Sequence, residues 1–512
     1  MINNLSNNKR IALNTIMLYF RMFLTMGVSL YTSRVILQSL GISDYGIYNV
    51  VAGFVSMFTF MNSAMTSATQ RYITFAIGMD DYEQANTVFC TCINIHALFA
   101  IILVFVAEVF GVWFLNTHMT IPSERMVAAN VVFQLAILST AVMMISVPYN
   151  ALIVAHEKMS AFAYISILEV SCKLLIAFIL FISPFDRLIL YAILMLIVQL
   201  IVRQVYGFYC RKHFKESKYR LIWNKSLFKD LMSFSVWSLF GNLASVCSGQ
   251  GLNVALNMYF GPVVNAARGV AYQVQSAIQG FSGNFQMAIN PQITKNYASG
   301  NIPYMHSLIY ASSKYSFYLL LLLSLPVILE ADYILSVWLK DVPEHTCGFL
   351  RIALCTVAIN ALAGPFTISA QANGNIKTYQ AIVGGVLLLT LPVSIILLKL
   401  LKIPEVVYVV ELVIVVFAQI ARLFFMRRMI NLPIKEYAYK VIIPIASVTL
   451  SAVIPSYLAY SFLPDKCLHS FLVVCCVCFV SIVSMAYLLG ITPSERSMVN
   501  KFIRNQLCKW FK

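Results

Sequence analysis

Long apolar runs alternate with short polar breaks from one end of this chain to the other. The pattern predicts about fourteen membrane-crossing helices, over residues 11–33, 45–70, 87–115, 127–155, 159–182, 188–210, 231–258, 262–290, 306–330, 346–372, 378–400, 404–428, 438–462 and 468–490, numbered here as spans 1 to 14. Each is about 20 residues or longer, enough to cross a hydrocarbon core of ~30 Å at about 1.5 Å per residue. Within that background some faces are polar for the whole depth of the membrane. Stepping by four and three along span 8 gives Arg268, Tyr272, Gln275, Gln279, Ser282, Gln286 and Asn290. Span 7 gives Ser238, Asn242, Ser245, Gly249, Asn253 and Asn257, and span 2 gives Asn49, Gly53, Ser56, Phe60, Ser63, Ser67 and Gln70. Span 1 is sparser, with Asn14, Arg21, Thr25 and Thr32.

A hydrocarbon-facing surface does not tolerate such stripes. Interhelical hydrogen bonds are one explanation, each worth only about 0.6–2 kcal/mol and usually confined to one or two residues per helix. Stripes this long favour the other, a hydrated cavity lined by Asn49, Asn242, Asn253, Asn257, Gln275, Gln279 and Gln286.

Composition and charge sharpen the class. The chain is 60% hydrophobic and 11% charged, which excludes an ordinary soluble domain. Of its 36 Lys and Arg, 22 fall in the segments on the side of the first residues, 7 on the opposite side and 7 inside spans, counting Lys399, Arg427, Arg428 and Lys440 at span ends with the adjoining loops. By the positive-inside rule both ends are cytoplasmic, and the net charge of +16 reflects retention against anionic lipid rather than nucleic-acid binding. Arg21 interrupts the first apolar run and no cleavage site follows, so span 1 is expected to be kept rather than removed as a signal peptide. The cysteines sit mostly in spans, where Cys packs as a small apolar residue, and no metal site is read from Cys475, Cys476 and Cys478.

The domain reading is an N-terminal six-helix lobe (1–210), a basic cytoplasmic linker (211–230), a second six-helix lobe (231–430), two additional spans (431–490) and a basic tail (491–512). The linker, with Trp223 and Phe228 among its Lys and Arg, is expected to form an interfacial amphipathic helix, with a solvated linker as the alternative; the tail is expected on the inner surface or frayed. The lobes read as parallel repeats. Gly41 matches Gly261, Pro148 matches Pro365 and Ala155 matches Ala372, all at nearly one offset, and proline-broken helices at repeat-related places are a transporter habit. Pro148 and Pro365 are therefore the candidate hinges.

Seven cations lie inside spans. Arg203, Arg351 and Arg422 are near span ends and are expected to snorkel. Arg21 and Arg268 lie deep, with no carboxylate within a turn, and are the main candidates for an anion site; Lys173, four residues after Glu169, and Lys314 are the others. A midplane charge costs about 2.5–3.5 kcal/mol, and a diphosphate oxygen at ~4 Å would return about 4 kcal/mol per cation at an effective dielectric of ~20. None of the embedded carboxylates, Glu108, Glu169, Glu330 and Glu411, falls on the polar faces of spans 1, 2, 7 and 8, which argues against a cationic substrate. No catalytic motif is present, and the loops are too short for a soluble catalytic domain.

The stretches Leu40–Tyr48, Ala68–Tyr72, Asn265–Gly269 and Pro365–Lys377 resemble polysaccharide biosynthesis proteins of the Wzx flippase type, in the superfamily shared with multidrug exporters and the lipid II flippase. The resemblance covers essentially the whole chain. It implies an all-α, MATE-like membrane protein of two pseudo-symmetric six-helix lobes around a V-shaped cavity, with two C-terminal helices added. It also implies translocation of undecaprenyl-diphosphate-linked oligosaccharide across a bacterial inner membrane for O-antigen or capsule synthesis, beside a polymerase and a chain-length regulator. No cofactor is expected; proton or sodium coupling stays open. A cation-coupled small-molecule exporter of the same fold and a membrane-embedded polymerase are the alternatives.

Overall fold

The computed structural model describes residues 2–56, 59–118, 121–339, 341–463, 467–493, 495–497 and 500. The side chains of Asn49, Ser56, Phe60 and Ser245 and the tail from 501 onward lie outside the described set, so the cavity role read for Asn49 and the surface role read for the tail do too. The described residues contain helices and no strand.

Among the described residues twelve helices are long and apolar enough to cross a membrane, giving a multi-pass membrane architecture. The two predicted spans outside that set are 2 and 8, the carriers of the longest polar stripes. Span 8 is nonetheless one helix, Pro262–Ala298. Span 2 continues the first helix beyond Gly41 and runs on as Thr59–Gly78. Gly41 breaks that first helix with φ 80° and ψ 166°, and its repeat mate Gly261 breaks the chain before span 8 with φ 78°. The Gly41 conformation is nearly closed to residues with a Cβ. Gly41→Ala is therefore expected to cost about 1–3 kcal/mol, read as a lowered Tm, although a Cβ there would meet open space.

The chain divides into two compact units, Met1–Leu243 with Met287–Asn301, and Ala244–Gln286 with Ile302–Lys512. The division falls inside spans 7 and 8 rather than in the linker, and the last two spans belong to the second unit. In the first unit, span 4 (Met126–Ala155) is the central helix, packed on spans 2, 3, 5 and 6. Its buried face is rich in small residues, Ala128, Ala129 and Ala141, which let neighbouring backbones approach where no aqueous hydrophobic effect drives association. The second unit is built around a core from Leu252, Leu256, Ala267, Ala271, Phe349, Leu354 and Tyr408.

The predicted linker helix does not form over residues 214–224. Helix Arg187–His213 ends at Phe214, one short turn spans Lys215–Ser217, and the chain then has no regular structure until the next helix begins at Lys225. Asn86, Cys90 and Asn94, one face of span 3, hold it. Asn86 Nδ2 donates to the carbonyls of Glu216 (2.7 Å) and Lys218 (2.8 Å), and Asn94 Nδ2 to that of Ile222 (2.9 Å). The Arg220 amide donates to Cys90 Sγ at 3.3 Å. A helix would need those carbonyls for itself; here the amides of span 3 take them. Trp223 stacks near Phe228 with ring centroids 5.2 Å apart.

At the opposite end of the first unit, Arg125 bridges Asp44 and Asp186. Asp186 also caps span 6, its Oδ1 accepting from the Leu188 amide at 3.0 Å and the Ile189 amide at 3.2 Å. The hydrogen bond from Arg125 holds the Asp186 carboxyl below the usual carboxylate range, against a smaller effect of burial. The sign follows: this stabilisation is complete above the unfolded Asp value of about 3.9 and is lost as pH falls through the lower folded value. The Tm difference between wild type and Asp186→Asn is expected to be small, constant above about pH 5, and to shrink below about pH 4.

Candidate functional site

Span 8 places Arg268 two turns beyond its start, and the packing of span 8 against Tyr408 of span 12 (Val406–Ile430) buries it to 6% exposure. Its Nη2 donates to the Gly249 carbonyl at 3.0 Å, and its Cζ sits 5.6 Å from the Tyr408 ring centroid. Its Nη1 is buried and has no hydrogen-bond partner among the described residues. A guanidinium carries five N–H donors and no acceptor, so this buried nitrogen keeps hydrogen-bond donors that no described residue uses and that an anionic oxygen could accept from. Glu411 lies three residues beyond Tyr408, on the same helical face, and interacts electrostatically with Arg268. The sequence puts no carboxylate on the polar faces; span 12 supplies one from outside them. Nothing local signals it, because 143 residues separate the two and only tertiary packing joins them.

The polar stripe of span 8 divides along its length. Tyr272 and Gln279 are exposed, and Gln275 is half-buried. Gln286 is tied down instead, Nε2 donating to Ser316 Oγ at 3.1 Å and to the Ala361 carbonyl at 2.9 Å. That carbonyl lies where span 10 breaks between Thr346–Asn360 and Ala363–Asn373. Pro365 follows the break, in the first turn of the second piece, where its missing N–H leaves no bond unmade. Its repeat mate Pro148 lies inside an uninterrupted helix. In span 7, Asn253 Nδ2 donates to Gln250 Oε1 at 3.0 Å and Asn257 is exposed. In the first unit Asn242 Nδ2 donates to Ser63 Oγ at 3.1 Å, joining the polar faces of spans 7 and 2.

Arg21 belongs to the first unit, its Cζ 4.6 Å from the Phe162 ring centroid of span 5 and in electrostatic reach of Tyr206. The remaining candidates have acidic partners. Lys173 Nζ lies 2.7 Å from Glu169 Oε1, the i,i+4 pair open to it in sequence. Lys314, 3% exposed, lies 2.7 Å from Glu495 Oε2, a carboxylate from beyond the last span. Arg422 is buried at 6% exposure rather than snorkelling, and Arg351 pairs with Asp332 at 2.9 Å.

No family model matches the chain, and no curated protein matches it. Solved structures do. A MATE protein in the bent conformation superposes with TM-score 0.73 at 12% identity, over 84% of this chain and 97% of that one. An outward-facing multidrug resistance MATE family transporter of the MOP superfamily gives 0.69 at 13%, over 83% and 96%. A MOP superfamily transporter from Pyrococcus furiosus, reported with a binding pocket of reverse polarity suggesting a different function, gives 0.67 at 14%, over 82% and 95%. At such identities the likeness is one of fold: this chain has the MATE-like fold.

Proposed function

We propose that the chain is a membrane transporter working by alternating access, and that it flips an anionic, undecaprenyl-diphosphate-linked oligosaccharide across a bacterial inner membrane, with both termini cytoplasmic, for surface polysaccharide synthesis. Arg268 carries the reading: a buried guanidinium with an unpartnered Nη1, on the most polar helix of a fold whose solved relatives are transporters. Arg268 and Arg21 are assigned to the diphosphate. Lys173 and Lys314 are neutralised by neighbouring carboxylates and are left out of the site. The exposed Tyr272, Gln279 and Asn257 are assigned to the sugars, and the polyprenyl chain stays in lipid. A polymerase and a chain-length regulator of the same pathway are the partners this reading implies.

The test is leaflet-resolved translocation of lipid-linked oligosaccharide by the purified chain in reconstituted vesicles. Transfer between leaflets, lost in Arg268→Gln, supports the reading; vesicles that flip no more than empty ones overturn it. A second reading, a cation-coupled exporter of small molecules, draws on Glu411, a membrane-embedded carboxylate close to Arg268. Efflux of organic cations driven by a proton or sodium gradient, without glycolipid transfer, would select it.

A further inference from the structure

A second cluster of charge lies in the first unit, far along the sequence from Arg268. Its centre is Glu157, in the short turn joining spans 4 and 5, with φ 58° and a side chain at 0% exposure. Both carboxylate oxygens are taken. Lys295 Nζ lies 2.7 Å from Oε1, Arg10 Nε lies 3.0 Å from Oε2, and Gln292 Nε2 donates to Oε2 at 2.5 Å. Asn14 Nδ2 donates to the Glu157 backbone carbonyl at 3.1 Å. The donors come from two separate elements, the first helix at the start of span 1 and the end of span 8, and the carboxylate bridges them.

The formal charges of the cluster balance, Arg10 and Lys295 against Glu157 and Asp80, the last in electrostatic reach of Lys295. Two properties make it more than a structural ion pair. Arg10 is 47% exposed while the carboxylate is sealed, so the cationic side of the cluster is the side open to an incoming molecule. An ammonium, a guanidinium and an amide converging on two oxygens is also the donor set that phosphate oxygens require.

We propose that this cluster is an anion-binding site closed by an internal carboxylate, and that a diphosphate competes with Glu157 for Arg10, Gln292 and Lys295. The Glu157 side chain then acts as a resident stand-in for the ligand. It sits on a turn held in the left-handed region, from which a small backbone change would withdraw it. Two sources share this chemistry, the diphosphate of a lipid-linked glycan and a free diphosphate, and the cluster lies on the side of the molecule that carries the basic segments. The link to transport rests on the flippase reading; the site itself does not.

The test is binding of inorganic pyrophosphate to the full-length protein in detergent, in an Arg21→Gln, Arg268→Gln background so that neither cation already assigned to the diphosphate contributes. Glu157→Gln removes the competitor and is expected to tighten pyrophosphate binding at least tenfold. Glu157→Asp, which keeps the charge on a shorter arm, is expected to fall between. Adding Arg10→Ala or Lys295→Ala to Glu157→Gln is expected to abolish the gain. Unchanged or weaker binding by both Glu157 variants, with a lowered Tm as their only effect, overturns the proposal and leaves a structural bridge. Competition of a polyprenyl diphosphate with pyrophosphate in the Glu157→Gln variant assigns the lipid-linked source; its absence assigns the free one. Failure of glycolipid flipping in vesicles would sink the flippase reading and leave these binding results standing.

Discussion

Arg268→Ala is expected to abolish translocation and to lower stability by about 1–3 kcal/mol, because it removes a buried guanidinium that donates to the Gly249 carbonyl and stands in electrostatic reach of Glu411. The two losses have different causes, and a second substitution separates them. Glu411→Gln added to Arg268→Ala removes the stranded carboxylate and is expected to restore most of the Tm. Translocation should stay lost, since the Nη1 donor that would meet the diphosphate is gone in both proteins. A lost charged hydrogen bond is worth about 1.5–3 kcal/mol, roughly a 10- to 150-fold fall in affinity for the anionic headgroup. Arg268→Lys should keep the electrostatic attraction to Glu411 and much of the stability. It is expected to bind poorly, because an ammonium cannot reach the Gly249 carbonyl and a second oxygen with the planar fork of a guanidinium. If the double variant recovers both Tm and transport, Arg268 is a structural partner of Glu411 and no anion site.

Gly78→Ala carries the second large effect. A Cβ at Gly78 would stand 2.8 Å from Lys295 Cα and 3.0 Å from the Lys295 carbonyl oxygen, both backbone atoms that cannot rotate away. The ends of spans 2 and 8 would have to separate. Overpacking of this kind costs about 1–3 kcal/mol. The displacement would also draw Lys295 from Glu157 and disturb the nearby rings of Phe75 and Tyr297, whose centroids lie 6.5 Å apart. The expected result is a lower Tm together with faster hydrogen exchange at the end of span 8, in 287–298. A wild-type Tm would mean that the two helices do not cross this closely.

The sequence by itself determined the membrane class and the approximate span boundaries. Apolar run length and helical periodicity are local quantities, and a bilayer imposes them on any chain that crosses it. Gly41 and Gly261, matched by offset alone, take the same positive φ, since a sharp reversal between helices favours a residue without a Cβ. The Lys173–Glu169 pair was legible for the same reason, being one helical turn long. What only the tertiary structure decided is where the charges find partners. Lys314 meets Glu495 across 181 residues, Arg268 meets Tyr408 and Glu411, and Glu157 gathers Arg10, Gln292 and Lys295. The linker, a plausible amphipathic helix by composition, became a strap without regular structure because Asn86 and Asn94 of span 3 claim its carbonyls. A stripe of polar residues shows that a helix face cannot meet lipid; whether each residue meets water or another helix depends on which neighbour packing brings to it, as the exposed Gln279 and the tethered Gln286 show on one face of span 8.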